Sequence, residues 1–143
     1  MFDTDRALHS LGVANFMLQH AGTLGLKCDA AWFIGFNHDI GYIVSKYNHT
    51  QKGVSIVEEF SEELAKYVGL HDAITPIIDN MDFLLRLADL VIDGKGNVVG
   101  INMRIREVFI TKGAESAQHC KDILRAIETY ANIHQITLHK ECI

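Results

Sequence analysis

The sequence contains little that would staple, anchor or subdivide the chain. Only one of its 143 residues is proline, Pro76, and no Pro- or Ser-rich stretch reads as a linker. The three cysteines, Cys28, Cys120 and Cys142, are odd in number and far apart, with no C-x-x-C spacing. That pattern argues against a disulfide framework and a cysteine zinc site. No apolar run approaches the about 20 residues that a membrane span requires. The stretch Met1-Phe2-Asp3-Thr4-Asp5 lacks the basic flank and apolar segment of a signal peptide. A cytoplasmic location without membrane association is therefore expected. Basic residues are also in short supply, with 13 Lys and Arg against 18 Asp and Glu for a net charge of −5. A nucleic-acid partner would need a basic surface. An anionic small substrate stays compatible, because a bound metal can reverse the field locally.

The composition, 48% hydrophobic and 22% charged, is that of an ordinary folded domain, and the length suits a single domain over 1–143. Histidine is the one surplus, with eight copies. As the commonest metal ligand, it directs attention to metal chemistry.

Helical periodicity runs through nearly the whole chain, so the expected class is all-α, a bundle of about six to seven helices. Ala7, Leu11, Ala14, Leu18 and Ala21 recur at steps of four and three and predict one face of a helix over 4–21. Asp3 or Thr4 would cap it and Gly22–Gly25 would end it. A second helix is predicted from Asp29 to Asp39, stopped by Gly41. Thr50 and Ser61 read as caps of helices over 51–60 and 62–71, and Thr75-Pro76 as a helix start. A strongly apolar helix follows over Met81–Ile92, then a loop at Asp93-Gly94-Lys95-Gly96-Asn97 and helices over 102–111 and 115–137.

Four polar residues stand in or beside these apolar segments. His9 lies between Leu8 and Leu11, the pair His38-Asp39 follows Trp32–Phe36, and Asp89 is embedded in Leu87-Ala88-Asp89-Leu90-Val91-Ile92. A helix apolar on all sides is buried, and a buried carboxylate needs a cation or donors. Asp89 therefore calls for a partner, either Arg86 one turn earlier or a metal ion. Adjacent His and Asp diverge by about 100° on a helix, so both reach one ion only near the helix end. Two His and two Asp suit an octahedral ion such as Mn²⁺, Fe²⁺, Mg²⁺, Co²⁺ or Ni²⁺.

The motifs, in their order, resemble those of the HD-domain metal-dependent phosphohydrolase superfamily. Arg6-Ala7-Leu8-His9-Ser10-Leu11-Gly12-Val13-Ala14 resembles the first-helix motif. Asn37-His38-Asp39-Ile40-Gly41-Tyr42 resembles the HD-I-G segment, and Leu87-Ala88-Asp89-Leu90 the A-D element. Asp93–Asn97 followed by Arg104-Ile105 also looks like one group of small HD proteins, so the likeness covers about residues 4 to 110. The resemblance implies that His9, His38, Asp39 and Asp89 bind the metal. It makes His49 and His71 candidates for a second metal or for contact with the substrate phosphate. Leu70 stands where many relatives carry another histidine, and Tyr42 where many carry lysine. His20, His119, His134 and His139 match no motif and are expected at the surface.

The implied activity is hydrolysis of a phosphomonoester or phosphodiester of a small metabolite, foremost a nucleotide, by a metal-activated water. Asp39 would orient that water or accept its proton. Arg6, one turn before His9, is the first choice to balance the phosphoryl charge, with Lys52, Arg86 and Arg104 as further cations. Two other readings are open: a di-iron oxygenase, which needs His49 and His71 as ligands, and a non-catalytic metal-binding signalling module. Pairing into a homodimer through a helix face is a further expectation.

Overall fold

The computed structural model describes residues 4–142; Asp3 lies outside them, and Thr4 already lies within a helix rather than capping it. Among the described residues there are seven α-helices: α1 (Thr4–Ala21), α2 (Cys28–Asn37), α3 (His49–Glu58), α4 (Glu62–Leu70), α5 (Asn80–Val91), α6 (Ile101–Lys112) and α7 (Ala114–Ile133). Short 3₁₀ turns cover Gly22–Leu24, Ile40–Ile43 and Lys140–Cys142. The only β pairing among these residues is an isolated bridge between Ile92 and Val98. The all-α expectation holds. None of the helices is long and apolar enough to cross a membrane.

The most extensively buried segment, α5, is the central element. Phe83, Leu84, Leu85, Leu87 and Val91 are buried along it. They share one apolar cluster with Val13, Phe16 and Met17 of α1, Ile34 of α2, and Ile123, Ile127 and Tyr130 of α7. Helix α1 packs on α2 and α5, α3 on α4, and α6 on α7. A smaller cluster of Val57, Ala65 and Val68 joins α3 to α4, with Phe33 and Ile40 against it.

Several local expectations are corrected. The buried face of α1 runs through His9, Ser10, Val13, Ala14, Phe16, Met17 and Ala21, while Leu11 and Leu18 are exposed. The helix is rotated relative to the predicted stripe because it packs on both α2 and α5, and its larger side chains, Phe16 and Met17, fill that angle. Helix α3 starts at His49 after Asn48 in a left-handed conformation (φ 57°), so Thr50 is not its cap. Ser61 does cap α4, its hydroxyl accepting from the Leu64 amide. Helix α5 begins at Asn80 rather than at Pro76. Asp79 accepts from the Asp82 amide at 3.0 Å, while the preceding irregular segment is tied to α5 by Arg86, which donates to the carbonyls of Ala73 and Thr75. Helix α7 ends at Ile133 instead of 137, with Gln135 at φ 55°.

Candidate metal centre

Three local features bring the chain's His and Asp residues together. His9 belongs to the inward face of α1, so its ring points at α5. Helix α2 stops at Asn37, and a tight 3₁₀ turn follows from Ile40. His38 and Asp39 therefore leave the helix end, where their directions can converge on one point. Within Met81–Ile92, Asp89 alone is not fully buried, its side chain 26% exposed, because a cavity opens over it. The expectation of a wholly buried carboxylate is corrected to one that faces this cavity.

Close backbone approaches complete the framework. A Cβ on Gly12 would stand 2.4 Å from the carbonyl oxygen of Gly96, itself at φ 87°. Only this glycine pair lets the loop Asp93–Asn97 lie on α1, where the Asp93 carbonyl accepts from His9 Nδ1 at 2.9 Å. On the other side, a Cβ on Gly41 would stand 1.7 Å from the His49 carbonyl oxygen, so glycine is required for the turn after Asp39 to meet the start of α3.

The hydrogen bonds set the ring orientations. Nδ1 of His9, His38 and His71 lies 2.9, 2.7 and 2.6 Å from the carbonyls of Asp93, Gly35 and Val68. A carbonyl only accepts, so each Nδ1 carries the proton and each Nε2 is turned inward. His9 Nε2 lies 2.8 Å from Asp89 Oδ1, and His38 Nε2 lies 3.2 Å from that oxygen and 3.3 Å from Asp39 Oδ2. Neutral imidazole nitrogens facing ionised carboxylates at these distances would oppose lone pair to lone pair. A cation between them, either a proton or a metal ion, removes the conflict.

The acid–base balance of the site agrees. Burial disfavours charge on His38, but the carboxylates of Asp39 and Asp89 outweigh it and hold its pKa well above 6.5. Burial would raise Asp39 and Asp89, yet His38 draws both well below the ordinary carboxylate range, assisted by His71 and His9 respectively. His71 is raised, its bond to Asp39 outweighing burial. His49 is lowered by burial. The site thus attracts positive charge strongly, and its mixed N and O donors fit a divalent ion of the Mn–Ni series.

Donor atoms of His9, His38, Asp39 and Asp89 all lie within 4.8 Å of one another, as do those of Asp39, His49 and His71. Asp39 belongs to both groups. Its Oδ2 faces His38, while its Oδ1 faces His71 at 3.4 Å and His49 at 3.7 Å. One carboxylate can therefore serve two adjacent positions. Arg6 Nη1 lies 3.3 Å from Asp39 Oδ2. The guanidinium carbon sits 3.3 Å from the centre of the Tyr42 ring, which also stacks on His49 at 4.1 Å. Burial, with Asp39 assisting, raises the Tyr42 phenol, so it stays neutral.

These groups line a cavity of about 980 Å³, with His38 wholly buried behind its wall. The structure brings together His9, His38, Asp39, Asp89, His49, His71 and Arg6. It does not bring Lys52, which is exposed on α3 and absent from the cavity lining. Arg86 reaches the lining but is committed to Asp82, with two N–O distances of 2.8 Å, rather than to Asp89. Arg104 also reaches it and pairs with Glu107. Sequence reasoning missed the far wall, where Lys95, Lys112 and His119 line the same space. His119 donates to the Asp72 carbonyl at 2.8 Å and so is no isolated surface residue; nothing in its local sequence signals that contact. His20 is half-buried against Glu141, while His134 and His139 are exposed.

A family model described as HD domain matches residues 6–95. That span contains both His/Asp groups and ends before α6 and α7. No curated protein and no solved structure matches the chain.

Proposed function

The chain belongs to the HD domain family, and from that premise we propose that it is a metal-dependent phosphohydrolase acting on a phosphomonoester or phosphodiester of a small metabolite, foremost a nucleotide. The observation that carries this reading is the convergence of His9, His38 and two carboxylates on one point, with Arg6 beside it at the floor of a cavity. The cavity volume, about 980 Å³, suits a ligand of nucleotide size.

His9, His38, Asp39 and Asp89 would hold the ion, each histidine oriented through its Nδ1–carbonyl bond. When bound, the divalent ion supplies a Lewis acid for a phosphoryl oxygen and lowers the pKa of a water. Asp39, held ionised, orients the attacking water and accepts a hydrogen bond from it. Arg6 presents its guanidinium to the oxygens on which charge develops. His49 and His71 face Asp39 Oδ1 and either complete a second ion's ligand set or contact the phosphate. His38 and Asp39 are buried, while Asp89 and Arg6 face the cavity through which substrate and water reach the site.

A screen of phosphate esters and nucleotides with Mn²⁺, Co²⁺, Ni²⁺ and Mg²⁺ tests the proposal. Turnover is expected with at least one ion and is lost in His38→Ala and Asp39→Ala together with the bound metal. No hydrolysis of any ester by demonstrably metal-loaded protein would overturn the reaction class. Unchanged metal content in those two variants would overturn the site.

The Asp39–His49–His71 group favours one second reading, oxygen-dependent oxidation at a di-iron site. Two irons per chain with oxygen consumption would support it against ester hydrolysis.

A further inference from the structure

Tyr42 meets Arg6 on one side and His49 on the other. The Arg6 guanidinium carbon lies 3.3 Å from the ring centre, and the His49 ring centre lies 4.1 Å away at an interplanar angle of 20°. Two groups that close to one centre would overlap if they shared a face, so they occupy opposite faces. The phenol ring is the middle layer of a three-part stack. Its outer layers come from α1 and α3, elements that reach the site from different directions.

Both outer layers address the same carboxylate. Arg6 Nη1 lies 3.3 Å from Asp39 Oδ2, and His49 Nε2 lies 3.7 Å from Asp39 Oδ1. Tyr42 itself follows Asp39 by three residues, in the 3₁₀ turn whose closure at Gly41 brings His49 near. The ring and the carboxylate are therefore fixed to the same short segment. A planar cation over an aromatic face retains its orientation, whereas a free arginine samples many rotamers.

We infer that Tyr42 is a positioning residue: its ring, rather than its hydroxyl, sets the Arg6 guanidinium and the His49 imidazole on the two oxygens of Asp39, so that an incoming phosphoryl group meets a pre-oriented cation. This inference rests on the phosphate-ester reading. In this chain the charge comes from α1 and the aromatic ring aims it.

The test uses the full chain loaded with Mg²⁺, as wild type, Tyr42→Phe and Tyr42→Leu. Inorganic phosphate is titrated calorimetrically, and side-chain NMR follows the Arg6 Hδ and His49 Hε1 protons, which move upfield over a ring face. Wild type and Tyr42→Phe are expected to show both upfield shifts. In Tyr42→Leu both shifts vanish and phosphate binding weakens about tenfold, the scale of a partly desolvated cation–π contact, while at least one Mg²⁺ per chain is retained. Phosphate binding by Tyr42→Leu at wild-type strength would overturn the inference. So would absence of the shifts in wild type, or Tyr42→Phe binding as weakly as Tyr42→Leu. Should Tyr42→Leu fail to fold, Arg6→Lys keeps the charge and leaves the Tyr42–His49 pair. It is expected to weaken phosphate about tenfold with the His49 shift intact, and wild-type binding there would overturn the inference equally. Failure of the phosphohydrolase reading looks different: no ester is turned over, yet the order of phosphate affinities persists.

Discussion

Arg86 is wholly buried in α5, where its guanidinium makes four hydrogen bonds: two to the carboxylate of Asp82, at 2.8 Å each, and two to the carbonyls of Ala73 and Thr75, at 2.8 and 2.6 Å. Arg86→Met keeps most of the volume and removes all four. Asp82, also fully buried, would retain the Ile78 amide at 3.1 Å and the bonds of its own helix, with no cation beside it. Breaking one partner of such a pair costs about 3–5 kcal/mol, a large part of the about 5–15 kcal/mol by which domains are stable. With a urea slope of about 2 kcal/mol per molar, the unfolding midpoint should fall by roughly 1.5–2.5 M. The double variant Asp82→Leu/Arg86→Met should recover part of that loss, because an apolar pair leaves no uncompensated charge, although the carbonyls of Ala73 and Thr75 and the Ile78 amide lose their partners. The segment released, 73–78, begins two residues after His71, so the Asp39–His49–His71 group should loosen before the His9–His38–Asp89 side. A loss below about 0.5 kcal/mol for the single variant, the range of an ordinary surface change, would refute the role given to the pair. So would a double variant no more stable than the single.

Three further outcomes are expected. Metal affinity should rise with pH above about 6.5, with protons released on binding, because His38 and His71 hold their protons above that value in the metal-free protein; calorimetry in two buffers measures the release, and a pH-independent affinity would contradict it. The metal-free fold should respond in the opposite sense. Groups raised in the folded state contribute stability that is complete below pH 6.5 and is lost as pH rises through their folded pKa values, so the urea midpoint should decline there. Gly12→Ala should cost about 1–3 kcal/mol by overpacking, since its Cβ would meet the Gly96 carbonyl oxygen at 2.4 Å. Weaker metal binding should accompany that loss as Asp93 moves off His9; thermal melts with and without Mn²⁺ would show an unaltered metal-induced shift if the loop played no part.

Much of this protein was legible from local pattern. The 3.6-residue period, together with the absence of sustained alternation, sufficed for an all-α class, because a helix makes its backbone bonds within its own segment. Asp89 could be marked as needing a partner from its neighbours alone, since Leu87, Ala88, Leu90, Val91 and Ile92 around it are apolar and buried. The spacing of His9, His38-Asp39 and Asp89 supported a family resemblance, and the family match confirms membership.

Choices between near-equivalent local options were decided by tertiary contacts. Arg86 has acids available at both i−4 and i+3, and Asp82 prevails because the same arginine must also satisfy carbonyls at 73 and 75. Helix α1 carries apolar residues around most of its circumference, and contact with α2 and α5 selects Val13, Phe16 and Met17 over Leu11 and Leu18. The Arg6–Tyr42–His49 stack and the bond from His119 to the Asp72 carbonyl join residues far apart in the chain. Sequence by itself determined the helices, the polar residues that could not be left buried alone, and the family. Tertiary structure alone decided which polar groups meet, because that depends on which helix faces abut, and neighbouring residues do not encode it.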